Sequence, residues 1–263
     1  MTPRPLGKTG LLVSPIGLGT VKFGRTAGLK YPAPFELPGD EAVLALLRVC
    51  KELGINLIDT APAYGTSEAR MGELLPRVAP RNHWVICTKA GEEFDAAKGS
   101  TYDFSPGAVR ASVRRSLERL RTDTLDIVLL HSDGRDEWII QRSGGLEALR
   151  ELKREGKVRA VGISTKTPAG ATLAVQHCDV VMLTLNDAHQ GDLPAIEAAR
   201  AAGVGILVKK ALASGHAGDP PGSLARAVAT PGVGSAIVGT TNIQHLRAGA
   251  AAAQGALPPT HKD

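Results

Sequence analysis

Short apolar runs rich in β-branched residues alternate along the chain with longer segments in which apolar residues recur at helical spacing. The short runs are typical of buried strands, and the longer spacing is typical of amphipathic helices. The predicted strands lie at 15–19, 55–59, 84–88, 125–130, 158–163, 179–184, 204–208 and 235–238. The predicted helices lie at 40–53, 67–76, 106–120, 144–155, 168–176, 192–202, 222–229 and 242–253. This alternation predicts repeated βα units around a parallel sheet.

Eight βα units within 263 residues match the size and strand count of a (β/α)8 barrel, or TIM barrel. An open, doubly wound sheet is the alternative, because length alone does not exclude it. No Pro-, Gly- or Ser-rich linker separates two hydrophobic patterns, so we expect a single barrel domain over residues 1–263. Before the first strand, the segment RPLGKTGLLVSP predicts a β-hairpin that caps the bottom of the barrel.

Charge and composition argue against nucleic acid, a membrane or a metal ion as a binding partner. The 31 basic and 26 acidic residues are interspersed and only 3% of residues are aromatic, so nucleic-acid binding is not expected. No run approaches the roughly 18 apolar residues of a membrane helix, and the N-terminal segment lacks the apolar stretch of a signal peptide, which predicts a cytoplasmic protein without a membrane partner. The three cysteines lie far apart and the seven histidines form no HxH or HExxH pattern, so no metal site is expected.

Polar side chains stand at the ends of three successive predicted strands. Asp59 ends the apolar run GINLID, and Tyr64 follows it in a short loop. Lys89 lies near the end of VICTKAG, and His131 ends LDIVLLH. In a barrel the carboxyl ends of the strands meet at one face, which is where active sites of such folds lie. We therefore expect Asp59, Tyr64, Lys89 and His131 to form one site.

The same segments are similar to those of a known family. The stretches GINLIDTAPAYGTSE, TKAG, LLHS, GKVRAVGIS and AIVGTTNIQHLRAGAAA, in this order, resemble the aldo-keto reductases, and the resemblance extends over nearly the whole chain. It implies a (β/α)8 barrel with a nicotinamide cofactor across its C-terminal face. The implied activity is hydride transfer between NAD(P)H and an aldehyde or ketone, or the corresponding alcohol.

The resemblance assigns the catalytic tetrad to Asp59, Tyr64, Lys89 and His131. The Tyr64 phenol would exchange the proton at the substrate oxygen. The Lys89 ammonium would move the pKa of the Tyr64 phenol from about 10 towards neutrality. Asp59 would pair with Lys89. His131 would donate a hydrogen bond to the substrate oxygen.

The resemblance also implies a set of cofactor contacts, with NADPH as the expected cofactor and NADH as the alternative. They are Gly19, Thr20, Asp59, Ser164, Thr165, Asn186, Lys209, Gly239, Thr240, Thr241 and Asn242. The loop at 239–242 opens the last helix, whose N-terminus suits a phosphate. The chain departs from the family pattern where Thr165 replaces Asn, Met182 replaces Gln and Lys209 replaces a stacking aromatic residue. We expect Lys209 to reach a cofactor phosphate or an acidic substrate.

Two alternative functions are considered, one because of these departures from the family pattern and one because of Lys89. The first is a noncatalytic nicotinamide-nucleotide-binding or regulatory subunit on the same barrel. The second is a lyase or isomerase in which Lys89 forms a Schiff base. The expected partner is a small-molecule carbonyl compound. Its walls are expected from the loop that carries Tyr31 and Phe35, the loop after Lys89 and the loop that carries Trp138. The oligomeric state is not readable from the sequence.

Overall fold

The computed structural model describes residues 1–29 and 31–257. The expected domain over residues 1–263 includes Lys30 and 258–263, which lie outside the described residues. The strands, in chain order, are β1 (Arg4–Pro5), β2 (Leu12–Val13), β3 (Ile16–Gly19), β4 (Leu57–Asp59), β5 (Val85–Ala90), β6 (Glu92–Asp95), β7 (Gly99–Tyr102), β8 (Leu125–His131), β9 (Val158–Ser164), β10 (Val180–Thr184), β11 (Gly205–Lys209) and β12 (Val233–Val238).

The strands β3, β4, β5, β8, β9, β10, β11 and β12 form a closed parallel barrel in which β12 pairs with β3. This confirms the predicted (β/α)8 barrel over the open sheet, and every predicted strand overlaps an observed one. Along each strand, alternate side chains point into the barrel, so Cys87 and Leu129 join Leu57 and Leu207 in one interior cluster.

The predicted N-terminal hairpin is confirmed as β1 and β2, and it lies at the bottom of the barrel. Leu6, Leu11 and Val13 are fully or almost fully buried in the same cluster as the barrel interior. The Lys8 amide donates a hydrogen bond of 2.8 Å to the Gly203 carbonyl, where the chain turns into β11. Apolar side chains thus close the bottom of the barrel, and the polar groups lie at the opposite end, where the strands have their carboxyl ends.

The helices pack around the barrel close to their predicted positions. They are α1 (Asp40–Leu53), α2 (Ser67–Leu74), α3 (Pro106–Leu120), α4 (Asp136–Gln141), α5 (Gly145–Arg154), α6 (Pro168–Val175), α7 (Leu193–Ala202), α8 (Pro220–Ala229) and α9 (Ile243–Gly255). Gly54 and Gly203 follow α1 and α7 with φ of 72° and 76°, the left-handed conformation that ends many helices. Within the described residues, no helix has both the length and the apolar composition to cross a bilayer.

Two elements lie in segments for which neither a helix nor a strand is predicted from the sequence. The hairpin of β6 and β7 follows β5, and α4 follows β8, both at the C-terminal face of the barrel. The Asp95 carboxylate accepts the amides of Ala97 and Lys98, and Gly99 adopts a φ of 80°, so the hairpin turn is made locally. Its mostly polar strands lack the apolar alternation by which strands are recognised, so this element escapes the prediction.

Candidate active site

Lys89 and Asp59 form a buried ion pair at the C-terminal face of the barrel. Lys89 Nζ donates to Asp59 Oδ1 at 2.6 Å and to the Thr60 carbonyl at 2.9 Å. The two residues are 1% and 4% exposed. Burial alone would lower the pKa of Lys89, but Asp59 and the Tyr64 hydroxyl outweigh it and raise that pKa above its ordinary value. Lys89 is therefore held as an ammonium, which disfavours its action as a Schiff-base nucleophile.

Thr20 forms hydrogen bonds next to this ion pair. Its hydroxyl donates to the Asp59 carbonyl at 2.9 Å and accepts from the Ser67 hydroxyl at 2.7 Å. The Thr20 side chain is fully buried. The resemblance implies a cofactor contact for Thr20, whereas in the structure its hydroxyl joins the ends of β3 and β4 beneath the site.

Tyr64 lies beside the ion pair, in a single turn of 3-10 helix that follows β4. Its ring centroid is 5.0 Å from Lys89 Nζ. The next residue, Gly65, has a φ of 61°, and a Cβ there would lie 2.1 Å from the Gly24 carbonyl oxygen. A glycine is therefore required for this turn to pack against the loop after β3.

Burial raises the pKa of the Tyr64 phenol above its ordinary value, while Lys89 opposes that rise. The effect of Lys89 is the one expected from the sequence, and the effect of burial is larger. The net direction is therefore opposite to the predicted shift towards neutrality, although Lys89 still favours the phenolate as expected.

His131 ends β8 and faces Tyr64 edge-to-face, with the two ring centroids 6.1 Å apart. The Oε2 atom of Glu92, on β6, lies 2.6 Å from His131 Nδ1. The sequence analysis does not identify Glu92, because the residue reaches the site through the unpredicted hairpin. The position of Glu92 three residues after Lys89 is the signal that could have drawn attention to it.

The Glu92 carboxylate is enclosed by donors. Ser100 and Tyr102 donate their hydroxyls to Glu92 Oε1 at 2.6 and 3.2 Å. Burial would raise the pKa of Glu92, but these bonds and His131 outweigh burial and lower it to about 2. Burial lowers the pKa of His131 below its ordinary value, although Glu92 acts in the opposite direction.

Lys209 ends β11 and turns towards the end of β9. Its Nζ donates to Ser164 Oγ at 2.9 Å and to the Thr165 carbonyl at 2.6 Å. Burial, followed by the neighbouring ammonium groups of Lys210 and Lys89, lowers the pKa of Lys209 to about 7. These two bonds bring Lys209, Ser164 and Thr165, three of the implied cofactor contacts, together at one edge of the barrel mouth. Ser164 and Thr165 are both 1% exposed.

Met182, which replaces the family's Gln, is buried in the barrel interior. Asn186 is turned towards the loop after β11, because its side-chain amide donates to the Lys210 carbonyl at 2.9 Å. The side-chain oxygen of Asn186 accepts a hydrogen bond from the Ala188 amide at 3.0 Å. Asn186 thus fastens two loops to each other in the structure, and its contact with a cofactor stays a prediction.

The loop at 239–242 lies between β12 and α9. Asn242 caps α9, and its side-chain oxygen accepts the amides of Gln244 and His245. A Cβ on Gly239 would lie 3.0 Å from the Tyr31 hydroxyl, and one on Gly19 would lie 2.9 Å from Ile237. The Tyr31 hydroxyl therefore lies next to Gly239 in the expected phosphate loop, and Gly19 contacts the end of β12.

Trp138 remains a candidate for the substrate wall. It lies on α4 at the same face of the barrel and is 44% exposed. The Arg135 guanidinium stacks on its ring at 4.7 Å from the ring centroid. Over residues 1–29 and 31–257, no three His, Cys, Asp or Glu side chains are grouped so that they could hold a metal ion.

The closed parallel barrel thus carries Asp59, Tyr64, Lys89 and His131 together at its C-terminal face, and the sequence comparisons identify its family. The sequence model of the Aldo/keto reductase family matches residues 15–220. A solved structure from Pseudomonas aeruginosa, assigned to the aldo-keto reductases, is 50% identical with a TM-score of 0.88, over 97% of this chain and 95% of that one. The chain belongs to the aldo/keto reductase family.

Curated relatives give narrower matches. The L-galactose dehydrogenase of Arabidopsis thaliana is 37% identical over 61% of this chain and 47% of its own length. The NADH-specific methylglyoxal reductase of Escherichia coli is 34% identical over 62% of this chain and 51% of its own length. The chain thus matches about half the length of these relatives. The holo form of an aldo-keto reductase from Bacillus halodurans shares the fold, with a TM-score of 0.82 at 24% identity, over 99% of this chain and 93% of that one.

Proposed function

We propose that this protein is an enzyme that transfers a hydride between NAD(P)H and an aldehyde or ketone, or the corresponding alcohol. The observation that carries the proposal is the placement of Tyr64 beside the buried pair of Lys89 and Asp59, with His131 facing the same phenol. Bound NAD(P)H would supply the hydride. The groups of the protein would control the proton at the substrate oxygen.

Each member of the tetrad has a role that its surroundings support. Tyr64 holds the exchangeable proton on its phenol oxygen and releases it to the oxygen of the reduced substrate. Lys89 stabilises the phenolate left behind, since its charge is maintained by Asp59 at 2.6 Å. His131, whose ring faces Tyr64, orients the substrate oxygen through a hydrogen bond. Burial opposes ionisation of Tyr64 by raising its pKa, and the charge of Lys89 acts against that rise.

The residues around the mouth fit a nicotinamide nucleotide. Ser164 Oγ and Lys209 Nζ offer polar groups at one edge, and the N-terminus of α9 offers the positive end of its helix dipole at another. A lysine cation in this position would repel an oxidised nicotinamide, which is positively charged. With a pKa of about 7, Lys209 can release its proton at neutral pH and so remove that repulsion.

We propose that the cofactor is NADPH or NADH, and the two are to be distinguished by titration side by side. The presence of Thr240, Thr241 and Asn242 in place of Arg or Lys leaves no side-chain cation within that loop for a 2′-phosphate. The Escherichia coli relative is described as NADH-specific. We further propose small-molecule aldehydes and ketones as substrates, and the cytoplasm as the location.

Calorimetric titration with NADPH and with NADH tests the proposal, followed by assays of small aldehydes with the wild type and Tyr64→Phe. Saturable binding of either nucleotide, with turnover that the substitution abolishes, is the expected result. Absence of binding to both nucleotides would refute the proposal. Binding without turnover of any carbonyl compound would favour the noncatalytic nucleotide-binding alternative.

A further inference from the structure

Glu92 is placed where it decides which ring nitrogen of His131 carries a proton. Its Oε2 lies 2.6 Å from His131 Nδ1, and its other oxygen is occupied by Ser100 and Tyr102. Glu92 is 7% exposed, so little water competes for the carboxylate. The hairpin of β6 and β7 carries all three of the residues that form this arrangement with His131.

A carboxylate oxygen 2.6 Å from a ring nitrogen favours a proton on that nitrogen, because two lone pairs at this distance would repel each other. A neutral imidazole carries one proton, on Nδ1 or on Nε2. When Nδ1 donates to Glu92, Nε2 presents a lone pair and has nothing to donate. Only the imidazolium can donate from Nδ1 to Glu92 and from Nε2 to a second acceptor.

We propose that Glu92 is a positioning residue that keeps a proton on His131 Nδ1, so that Nε2 donates a hydrogen bond to a substrate oxygen only when the ring is an imidazolium. The proposal rests on the proposed carbonyl reduction for its catalytic meaning. Its structural part, the tautomer of His131, concerns this chain alone. Glu92 itself need not touch the substrate.

The charged and titratable groups around His131 act in opposite directions. Glu92 favours the imidazolium from the hairpin, whereas burial, Lys89 on β5 and Lys209 on β11 disfavour it. Tyr64 faces the ring without a charge while its phenol is protonated. Arg25 and Tyr102 face Glu92 from the loop after β3 and from β7. The pH at which the imidazolium is lost therefore depends on the carboxylate of Glu92.

The sign of the pH effect follows from this arrangement. Carbonyl reduction needs Nε2 as a donor, so reduction weakens as pH rises through the pKa of His131. Removal of the Glu92 charge takes away the group that favours the imidazolium. In Glu92→Gln this pKa, and with it the alkaline limit of reduction, should fall by about 1 to 3 pH units.

Nitrogen-15 NMR of the whole chain tests the tautomer directly, with the His131 signals assigned by their absence in His131→Asn. In the wild type above the titration midpoint, we expect the neutral ring to carry its proton on Nδ1. The neighbouring Glu93 faces Arg115 at 2.5 Å, so Glu93→Gln is the matched control and should leave the tautomer and midpoint unchanged. Tyr102→Phe loosens the hairpin but keeps the carboxylate, and it should preserve the Nδ1 tautomer.

A wild-type ring with its proton on Nε2, or a titration midpoint that is the same in Glu92→Gln, would overturn the proposal. A midpoint that Tyr102→Phe lowers as much as Glu92→Gln would also overturn it, because the hairpin packing would then be the cause. These measurements need no substrate, so they remain decisive even if the proposed reduction fails. If turnover is found, its alkaline limit should move with the NMR midpoint, and an unchanged limit in Glu92→Gln would contradict the proposed role.

Discussion

Lys89 Nζ and Asp59 Oδ1 lie 2.6 Å apart and join the ends of β5 and β4 where the barrel opens. Both side chains are almost completely buried, and a second bond from Lys89 reaches the Thr60 carbonyl. Removal of either charge would leave the other buried without a partner, which is costly. The pair therefore connects the stability of the fold to the electrostatics of Tyr64.

The first prediction concerns this pair. Asp59→Asn should lower the free energy of unfolding by about 3–5 kcal/mol, because the Lys89 ammonium would remain buried without a counter-charge. Urea denaturation at pH 7 measures the change. The double variant Asp59→Leu with Lys89→Met should recover most of that stability and still lack turnover. A loss below about 1 kcal/mol in the single variant would show that the pair is not held as described.

The second prediction separates proton transfer from cofactor binding. Tyr64→Phe should reduce kcat for carbonyl reduction by at least about a hundredfold, since it removes the exchangeable proton. The Kd for the nucleotide should remain within about twofold, because the ring and its contacts persist. Steady-state kinetics and calorimetry give the two values. A kcat close to that of the wild type would remove Tyr64 from the mechanism.

The third prediction uses the pKa of Lys209, which lies near 7 in the fold and near 10.5 in the unfolded chain. Between these values the unfolded chain binds more protons, so the contribution of Lys209 to stability increases with pH, by at most about 1.4 kcal/mol per pH unit. Below pH 7 both states are protonated and the full penalty of burial applies. Any advantage in stability of Lys209→Met over the wild type should therefore shrink from pH 7 to pH 9 in urea denaturation. The exposed Lys157→Met serves as the control and should show no such trend.

The fourth prediction concerns Asn242 at the start of α9. Asn242→Ala removes the side-chain acceptor for the amides of Gln244 and His245, and it should cost about 1 kcal/mol of stability. Asn242→Asp keeps the acceptor and adds a negative charge. It should preserve stability and weaken nucleotide binding by about fivefold if a phosphate is held there. Unchanged nucleotide affinity in Asn242→Asp would place the phosphate elsewhere.

The fold could be predicted because its signal repeats. Each buried strand and its helix follow the same alternation, and Asp59, Lys89 and His131 stand at strand ends that the closed barrel brings to one face. Glu92 was not predictable in this way, because it lies on a short polar hairpin without a repeated pattern. The side-chain partners of Thr20 and Asn186 depend on loops that meet only in the folded chain, so an implied contact at these residues could not be checked from the sequence.

The most direct test of the central claim is the transfer of deuterium from NADPH labelled at C4 of the nicotinamide, on each face in separate experiments, to an aldehyde. The product alcohol is analysed by mass spectrometry for the wild type and Tyr64→Phe. The account predicts a deuterium at the carbinol carbon of the wild-type product, from one labelled face only, and transfer at least about a hundredfold slower in Tyr64→Phe. Absence of label in the wild-type product, with NADPH and with similarly labelled NADH, or equal rates of transfer in the two proteins, would contradict it.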